Sequence, residues 1–366
     1  MLDHGPSVEE ATTQWGASTF VSTARRRLRC RELGSSIPLK HINFLLLGPA
    51  GVGKSSLVHT AWRALSGSRK SDPGLLERLQ VGWTAAEAEE KATASETPTT
   101  PKPKPGGLRA KHGTTALRAY ALQSRLAEKT VKTSVFAQDS KGQQFYDDDE
   151  RSFAEKLVSG ILKNGSSAER ESVYFWAVAA RLGLGRFVKT AAIAHSPHAV
   201  VLVFDVTLRS FRRAIDGNDD ALADCYRRVA DHATTLGLTL FAVLTHIDVY
   251  EKKKKSIQGQ ADDDEKHDDE TTTRQQQERR VGEAVAADLD DFRHKLSHTI
   301  GDHILPPTNV FPIVNYNVDA NDKDDAVELA ALDFLTAVFD AAEDFLTTKS
   351  LQHHVSSSQG PRCRLS

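Results

Sequence analysis

The stretch Gly48-Pro49-Ala50-Gly51-Val52-Gly53-Lys54-Ser55, with Ser56 after it, sets glycines, a lysine and hydroxyls at a spacing suited to phosphate. It fits the G-x-x-x-x-G-K-[ST] pattern of a P-loop. Glycines let successive backbone N–H groups turn inward toward phosphate oxygens. The positive end of a following helix would add to that attraction. Lys54 is placed to reach the β- and γ-phosphates of a nucleotide, and the Ser55 hydroxyl to hold Mg²⁺. The apolar run Ile42–Leu47 before the motif reads as a buried strand, and Ser56–Leu65 after it as a helix. Strand, glycine loop and helix in that order are the context the motif requires.

Other candidates lie further along. Asp139-Ser-Lys-Gly142-Gln143 closes an apolar stretch. A GTPase uses D-x-x-G at that place. The Asp contacts Mg²⁺, the Gly N–H meets the γ-phosphate, and the next residue, here Gln143, orients the attacking water. Thr115, or else Thr114, precedes an earlier strand and would add a hydroxyl to the metal. Thr245-His246-Ile247-Asp248 ends another apolar run, where GTPases place [NT]-K-x-D. Its Asp carboxylate would accept from guanine N1–H and the 2-amino group, which adenine lacks. His246 stands where lysine is usual; an imidazole can stack on the base but supports the loop less, so weaker affinity is expected. Asn315, in Phe311-Pro-Ile-Val-Asn315-Tyr316-Asn317, is the candidate for a loop over the guanine that offers backbone N–H to O6.

The elements that must position these residues alternate. Strands are expected at 117–122, 130–137, 200–206, 238–244 and 310–314, mostly as the continuous apolar runs of buried parallel strands. Apolar stripes mark helices through Phe153, Leu157 and Ile161; through Leu222, Cys225 and Val229; through Val281 to Ile300; and through Val327 to Leu346. Asp324 or Asp325 is the expected N-cap of the last one. A βαβ alternation opening on a P-loop predicts an α/β fold: a P-loop NTPase with a doubly wound, mostly parallel sheet like a small-GTPase G domain. The expected organisation is an N-terminal extension over 1–40, a G domain over 41–348, and a flexible tail over 349–366. Disordered low-complexity insertions are expected near 84–107 and 251–280, where Pro-rich and Lys- or Asp-rich runs occur.

The chain has 366 residues, a net charge of −2, 39% hydrophobic and 26% charged residues. That balance does not predict nucleic-acid binding. Arg25-Arg26-Arg27 reads as a solvated helix face. No apolar run reaches membrane-spanning length, and Leu2–Pro6 lacks the regions of a signal peptide. Cys30, Cys225 and Cys363 are too far apart for a disulfide framework or zinc site. The expected compartment is the cytoplasm. Cys363-Arg-Leu-Ser366 fits C-a-a-X, so peripheral membrane attachment is expected only if Cys363 is prenylated.

Taken in order, L-L-L-G-P-x-G-x-G-K-S-S, T-T before a strand, D-x-x-G, T-x-x-D and V-x-N-Y resemble the interferon-induced protein 44 family of GTP-binding proteins, over about Ile42 to Leu346. The resemblance implies a cytoplasmic guanine-nucleotide-binding protein. The expectation is therefore a protein that binds GTP or GDP with Mg²⁺ and hydrolyses GTP slowly, acting as a switch or scaffold whose switch loops meet protein partners. Two other readings stay open. One is an ATPase that uses Asp205, at the end of 200–204, as its metal-strand aspartate. The other is a non-catalytic nucleotide-binding module.

Overall fold

The computed structural model describes residues 8–68, 79–81, 117–125, 128–140, 142–143, 148–160, 193, 196–218, 220–262, 270–316 and 324–358. Thr114, Thr115, Asn317, Cys363 and the 84–107 segment lie outside these residues.

The elements run α1 (Val8–Cys30), β1 (His41–Leu47), α2 (Lys54–Ser66), β2 (Gln80–Val81), β3 (Arg118–Gln123), β4 (Ser134–Asp139), α3 (Asp148–Val158), β5 (Ala199–Asp205), α4 (Arg209–Ile215), α5 (Asp220–Thr235), β6 (Thr239–Thr245), α6 (Ile247–Asp262), α7 (Glu270–Ile300), β7 (Val310–Pro312) and α8 (Asp325–Ser358). One sheet of seven strands has the order β2-β3-β4-β1-β5-β6-β7. β4, β1, β5, β6 and β7 are parallel, while β3 joins β4 antiparallel and β2 joins β3 antiparallel. The fold is thus a mixed α/β arrangement around a mostly parallel sheet.

The continuous apolar runs follow from coverage on both faces. In β1, Ile42, Phe44 and Leu46 enter one core with α1, α2 and α8, whereas Leu45 and Leu47 enter the other with α3, α5 and α7. β5 divides likewise: Val201 and Val203 face one way, Val200, Leu202 and Phe204 the other. Cys225 is fully buried, in keeping with a core position. Asp324 Oδ1 accepts from the N–H groups of Ala326 and Val327, capping α8 as expected.

Two parts differ from the sequence reading. Within the expected 251–280 insertion, 251–262 belong to α6 and 270–280 to α7, while 263–269 lie outside the described residues. Ile247 and Tyr250 pack on Val281 and Val285, and Lys254 Nζ meets Asp288 at 2.5 Å. These contacts hold a lysine-rich helix that composition alone marks as loop. The basic run is also not wholly solvated. Arg26 and Arg27 are exposed, but Arg25 donates to Ala64 O and pairs with the buried Glu328 of α8. Val21 and Leu28 add apolar burial, so α1 is fixed on α2 and α8 rather than lying loosely over them.

Phe339 of α8 is 1% exposed and lies under the Arg31 guanidinium, 4.3 Å from its ring centre. Phe339→Ala should lower unfolding stability by about 3–5 kcal/mol, measured by denaturant titration. A loss below about 1 kcal/mol would show that α8 does not close this core.

Candidate functional site

The carboxyl ends of β1, β4, β5 and β6 fall on one edge of the sheet. β1 is central there, with β4 on one side and β5 on the other. In open α/β sheets this edge is where ligands settle. The loop Gly48–Gly53 leaves β1 at that edge and runs directly into α2.

The start of α2 is built like an anion site. Its N-cap is Gly53, which offers no side-chain cap, and its first turn has no acidic residue. Among the described residues, Gly51, Val52 and Gly53 donate no backbone N–H to another main-chain carbonyl. The helix therefore meets the loop with donors that the sequence has not satisfied locally. Lys54 Nζ donates to Gly48 O at 2.9 Å and Pro49 O at 2.8 Å, which folds the lysine across the loop. Burial lowers the Lys54 pKa to about 8, against the raising influence of the Asp139 carboxylate. A buried cation at the start of a helix attracts a polyanion.

Ser55 Oγ donates to Asp139 Oδ2 at 2.5 Å. The start of α2 and the end of β4, 84 positions apart in the chain, thus meet. Asp139 is fully buried. A hydroxyl and a carboxylate are hard oxygen donors, and Mg²⁺ characteristically takes one or two such protein ligands and completes its shell with phosphate and water. These residues fit that ion. Among the described residues, no cluster of three or more His, Cys, Asp or Glu residues suits a metal by itself, so phosphate would have to supply part of the coordination.

The far side of the loop is braced from β6 and from the chain after β7. The buried Thr245 Oγ1 lies 2.7 Å from Val52 O and 3.0 Å from Phe204 O. Asn315 Nδ2 donates to Gly53 O at 3.2 Å. Thr60 Oγ1 accepts from Tyr316 N–H at 2.9 Å and so fixes the chain beside Asn315. Asn315 is therefore a brace with its amide turned onto the loop, not only a backbone donor over a base. Gly53 has φ +90, and a Cβ there would stand 2.7 Å from Asn315 Nδ2, so only glycine fits. The support expected of a lysine at position 246 comes instead from Thr245 and Asn315. Ser56 sits half-buried in the first turn of α2, and its carbonyl accepts from Thr60 Oγ1.

His246 has φ +58, the only positive φ outside glycine among the described residues. Its Nδ1 lies 3.2 Å from Asp205 Oδ2. The other Asp205 oxygen accepts from Thr207 N–H and Thr207 Oγ1, each at 2.7 Å. This Asp205–His246 pair was not legible in sequence, because 41 positions separate its members. Asp248 lies half-buried in the first turn of α6, and its carboxylate has no hydrogen-bond or ion-pair partner among the described residues.

Gln143 departs from expectation. Its side chain is buried, and Nε2 points at Cys225 Sγ of α5, 3.6 Å away. Its backbone follows the loop instead: Ala50 N–H donates to Gln143 O at 3.0 Å and Gln143 N–H to Gly48 O at 3.2 Å. In this arrangement the Gln143 backbone anchors a segment on the loop while its side chain lies against α5, away from the orientation expected of a residue that positions water. Side-chain direction here is dictated by the apolar layer below, not by the D-x-x-G spacing.

No helix among the described residues is long and apolar enough to cross a membrane. No protein-family model and no curated protein matches this chain.

Thr245→Val keeps the shape and removes the hydroxyl between Val52 O and Phe204 O. It should lower the stability of the unliganded protein by about 1–3 kcal/mol in denaturant titration. An unchanged midpoint would show that the hydroxyl does not brace the loop.

Proposed function

We propose that this chain is a P-loop protein of the small-GTPase kind that binds a guanine nucleotide with Mg²⁺ in the cytoplasm. The carrying observation is the 2.5 Å contact of Ser55 with Asp139 beside the buried Lys54 ammonium. The loop and the helix after it thus bring together an oxygen pair suited to a metal, a cation for phosphate, and N–H groups of Gly51 to Gly53 that meet no main-chain carbonyl among the described residues. His246 lies near Gly53, and Asp248 follows two residues later in the first turn of α6. Asp248 would accept the two guanine donors, and the His246 ring, held by Asp205, would lie against the base or sugar. The earlier likeness to the interferon-induced protein 44 family is compatible with this reading.

The residues divide the work by position. Gly51, Val52 and Gly53 offer N–H groups to the phosphates. Lys54 neutralises their charge. Ser55 and Asp139 would hold Mg²⁺, which when bound supplies charge neutralisation between neighbouring phosphates. Hydrolysis is proposed to be slow, because Gln143 is turned into the core. A switch or scaffold that binds nucleotide fits this better than a fast enzyme. The ATPase reading is less well supported: both Asp205 oxygens already face Thr207 and His246, while Ser55 lies on Asp139.

Titration with GDP and Mg²⁺ tests the assignment. Lys54→Ala should weaken binding by about a hundredfold, a change of about 2.7 kcal/mol. Asp139→Asn should abolish the Mg²⁺ dependence, and Asp205→Asn should keep it. Mg²⁺ dependence lost only in the Asp205 variant would move the metal site to β5 and sink this assignment.

The lowered Lys54 pKa gives a pH prediction with a fixed sign. Phosphate binds the ammonium, so raising pH through about 8 in the free protein removes the attracting charge. GDP affinity should fall between about pH 7 and pH 9 more steeply in the wild type than in Lys54→Ala. Parallel profiles would show that Lys54 does not face the phosphates. Without ligand the linkage runs the other way. The native pKa lies below the unfolded value, so unfolding takes up a proton, and this group's contribution to stability rises with pH from about 8 to 10.5.

A further inference from the structure

We infer that Arg212 and Tyr250 are positioning residues for base selection: they clamp together the two chain segments that carry Asp205 and His246, and so fix the turn that contains Asp248. The inference rests on the nucleotide-binding reading, in which His246 and Asp248 meet the base, and names residues that set the specificity of that site.

His246 is a residue that has to be held. It places a β-carbon in the left-handed region, at φ +58, which glycine adopts far more readily. Such a conformation persists where the surroundings over-determine it. One restraint acts on the ring: Nδ1 lies 3.2 Å from Asp205 Oδ2 and 3.2 Å from Thr245 Oγ1. Another acts on the main chain: His246 O accepts from Tyr250 N–H at 3.0 Å as α6 begins.

Arg212 of α4 closes the circuit. Its Nε donates at 3.1 Å to Val206 O, one residue beyond Asp205. Its guanidinium lies over the Tyr250 ring, 4.9 Å from the ring centre. The strand end with Asp205 and the helix start with His246 are thereby tied through one planar cation. Tyr250 is anchored in turn. Its hydroxyl donates to Asp288 Oδ2 of α7 at 2.5 Å, and Lys254 Nζ, one turn further along α6, donates to the same oxygen at 2.5 Å and to Ala284 O at 3.0 Å. Burial and the Asp288 carboxylate push the Tyr250 hydroxyl up to about 12, so at neutral pH it remains a donor. Phe292 meets the ring edge-on, at 5.8 Å between centres. Asp248 stands two residues before Tyr250 in the same turn. Arg212 and Tyr250 therefore act through His246 and Asp248 and need no contact with a nucleotide.

Competition titration of GDP against ADP, both with Mg²⁺, tests this in the full chain. Tyr250→Phe removes the hydroxyl on Asp288 and keeps the ring under Arg212, whereas Arg212→Ala opens the clamp. The preference for GDP over ADP should fall by about tenfold in Arg212→Ala and about threefold in Tyr250→Phe. Tyr250→Phe, the milder change, carries the test if Arg212→Ala does not fold. A general loosening of the fold would weaken both nucleotides alike and leave their ratio in place. Asp248→Ala should lower the preference by itself, and in that background neither substitution should move it by more than about twofold. A ratio that neither variant moves, or a shift as large without Asp248 as with it, would overturn the inference while leaving guanine binding intact. A wild type that binds neither nucleotide, or ADP as tightly as GDP, would instead overturn the underlying reading, and the inference with it.

Discussion

The whole arrangement depends on keeping a loop of backbone donors rigid without letting them satisfy one another. A glycine-rich loop left alone would collapse onto its own carbonyls or wander among many conformations. Here its carbonyls are taken up from outside. Lys54 holds Gly48 and Pro49, Thr245 faces Val52, and Asn315 holds Gly53. With those acceptors occupied, Gly51 to Gly53 donate to no main-chain carbonyl among the described residues. A site prepared in this way loses little further entropy when an anion arrives.

That bracing explains why the sheet has the order it has. The braces must come from β6 and from the chain after β7, and the metal-type carboxylate from β4. β1 lies between β4 and β5, so its loop is reached from both directions. Two packed faces fix the strand ends. Phe44, Leu46 and Val203 sit against α2 and α8, and Leu45, Leu202 and Phe204 against the opposite layer. The buried charges at the edge, Lys54 and Asp139, are tolerable only because that framework places each near the other and near polar partners. Binding of a polyanion would then relieve a cation whose pKa burial has already lowered.

Much of this was legible from local pattern. The glycine loop, the strand before it and the helix after it are specified by adjacent residues, and the apolar runs at β5 and β6 lie within one residue of their expected bounds. Ser55 and Asp139 could each be singled out in advance from their motifs, though not their direct contact. What could not be read depends on distant packing. The polar composition of α6 hides a helix that Asp288 and Val285 stabilise from another element. Arg25 looks like its neighbours until Glu328, 303 positions away, is placed against it. The direction of Gln143 depends on Cys225, and the His246 partner on Asp205. None of those pairings leaves a periodic signature.

The central claim is that this braced loop holds a guanine nucleotide. The most direct test is to purify the full chain in Mg²⁺, denature it, and identify the released small molecules by chromatography and mass. The account predicts guanine nucleotide in the wild type and none in Lys54→Ala. Adenine nucleotide in place of guanine would contradict the role given to Asp248. Guanine nucleotide released equally from Lys54→Ala would contradict the site itself.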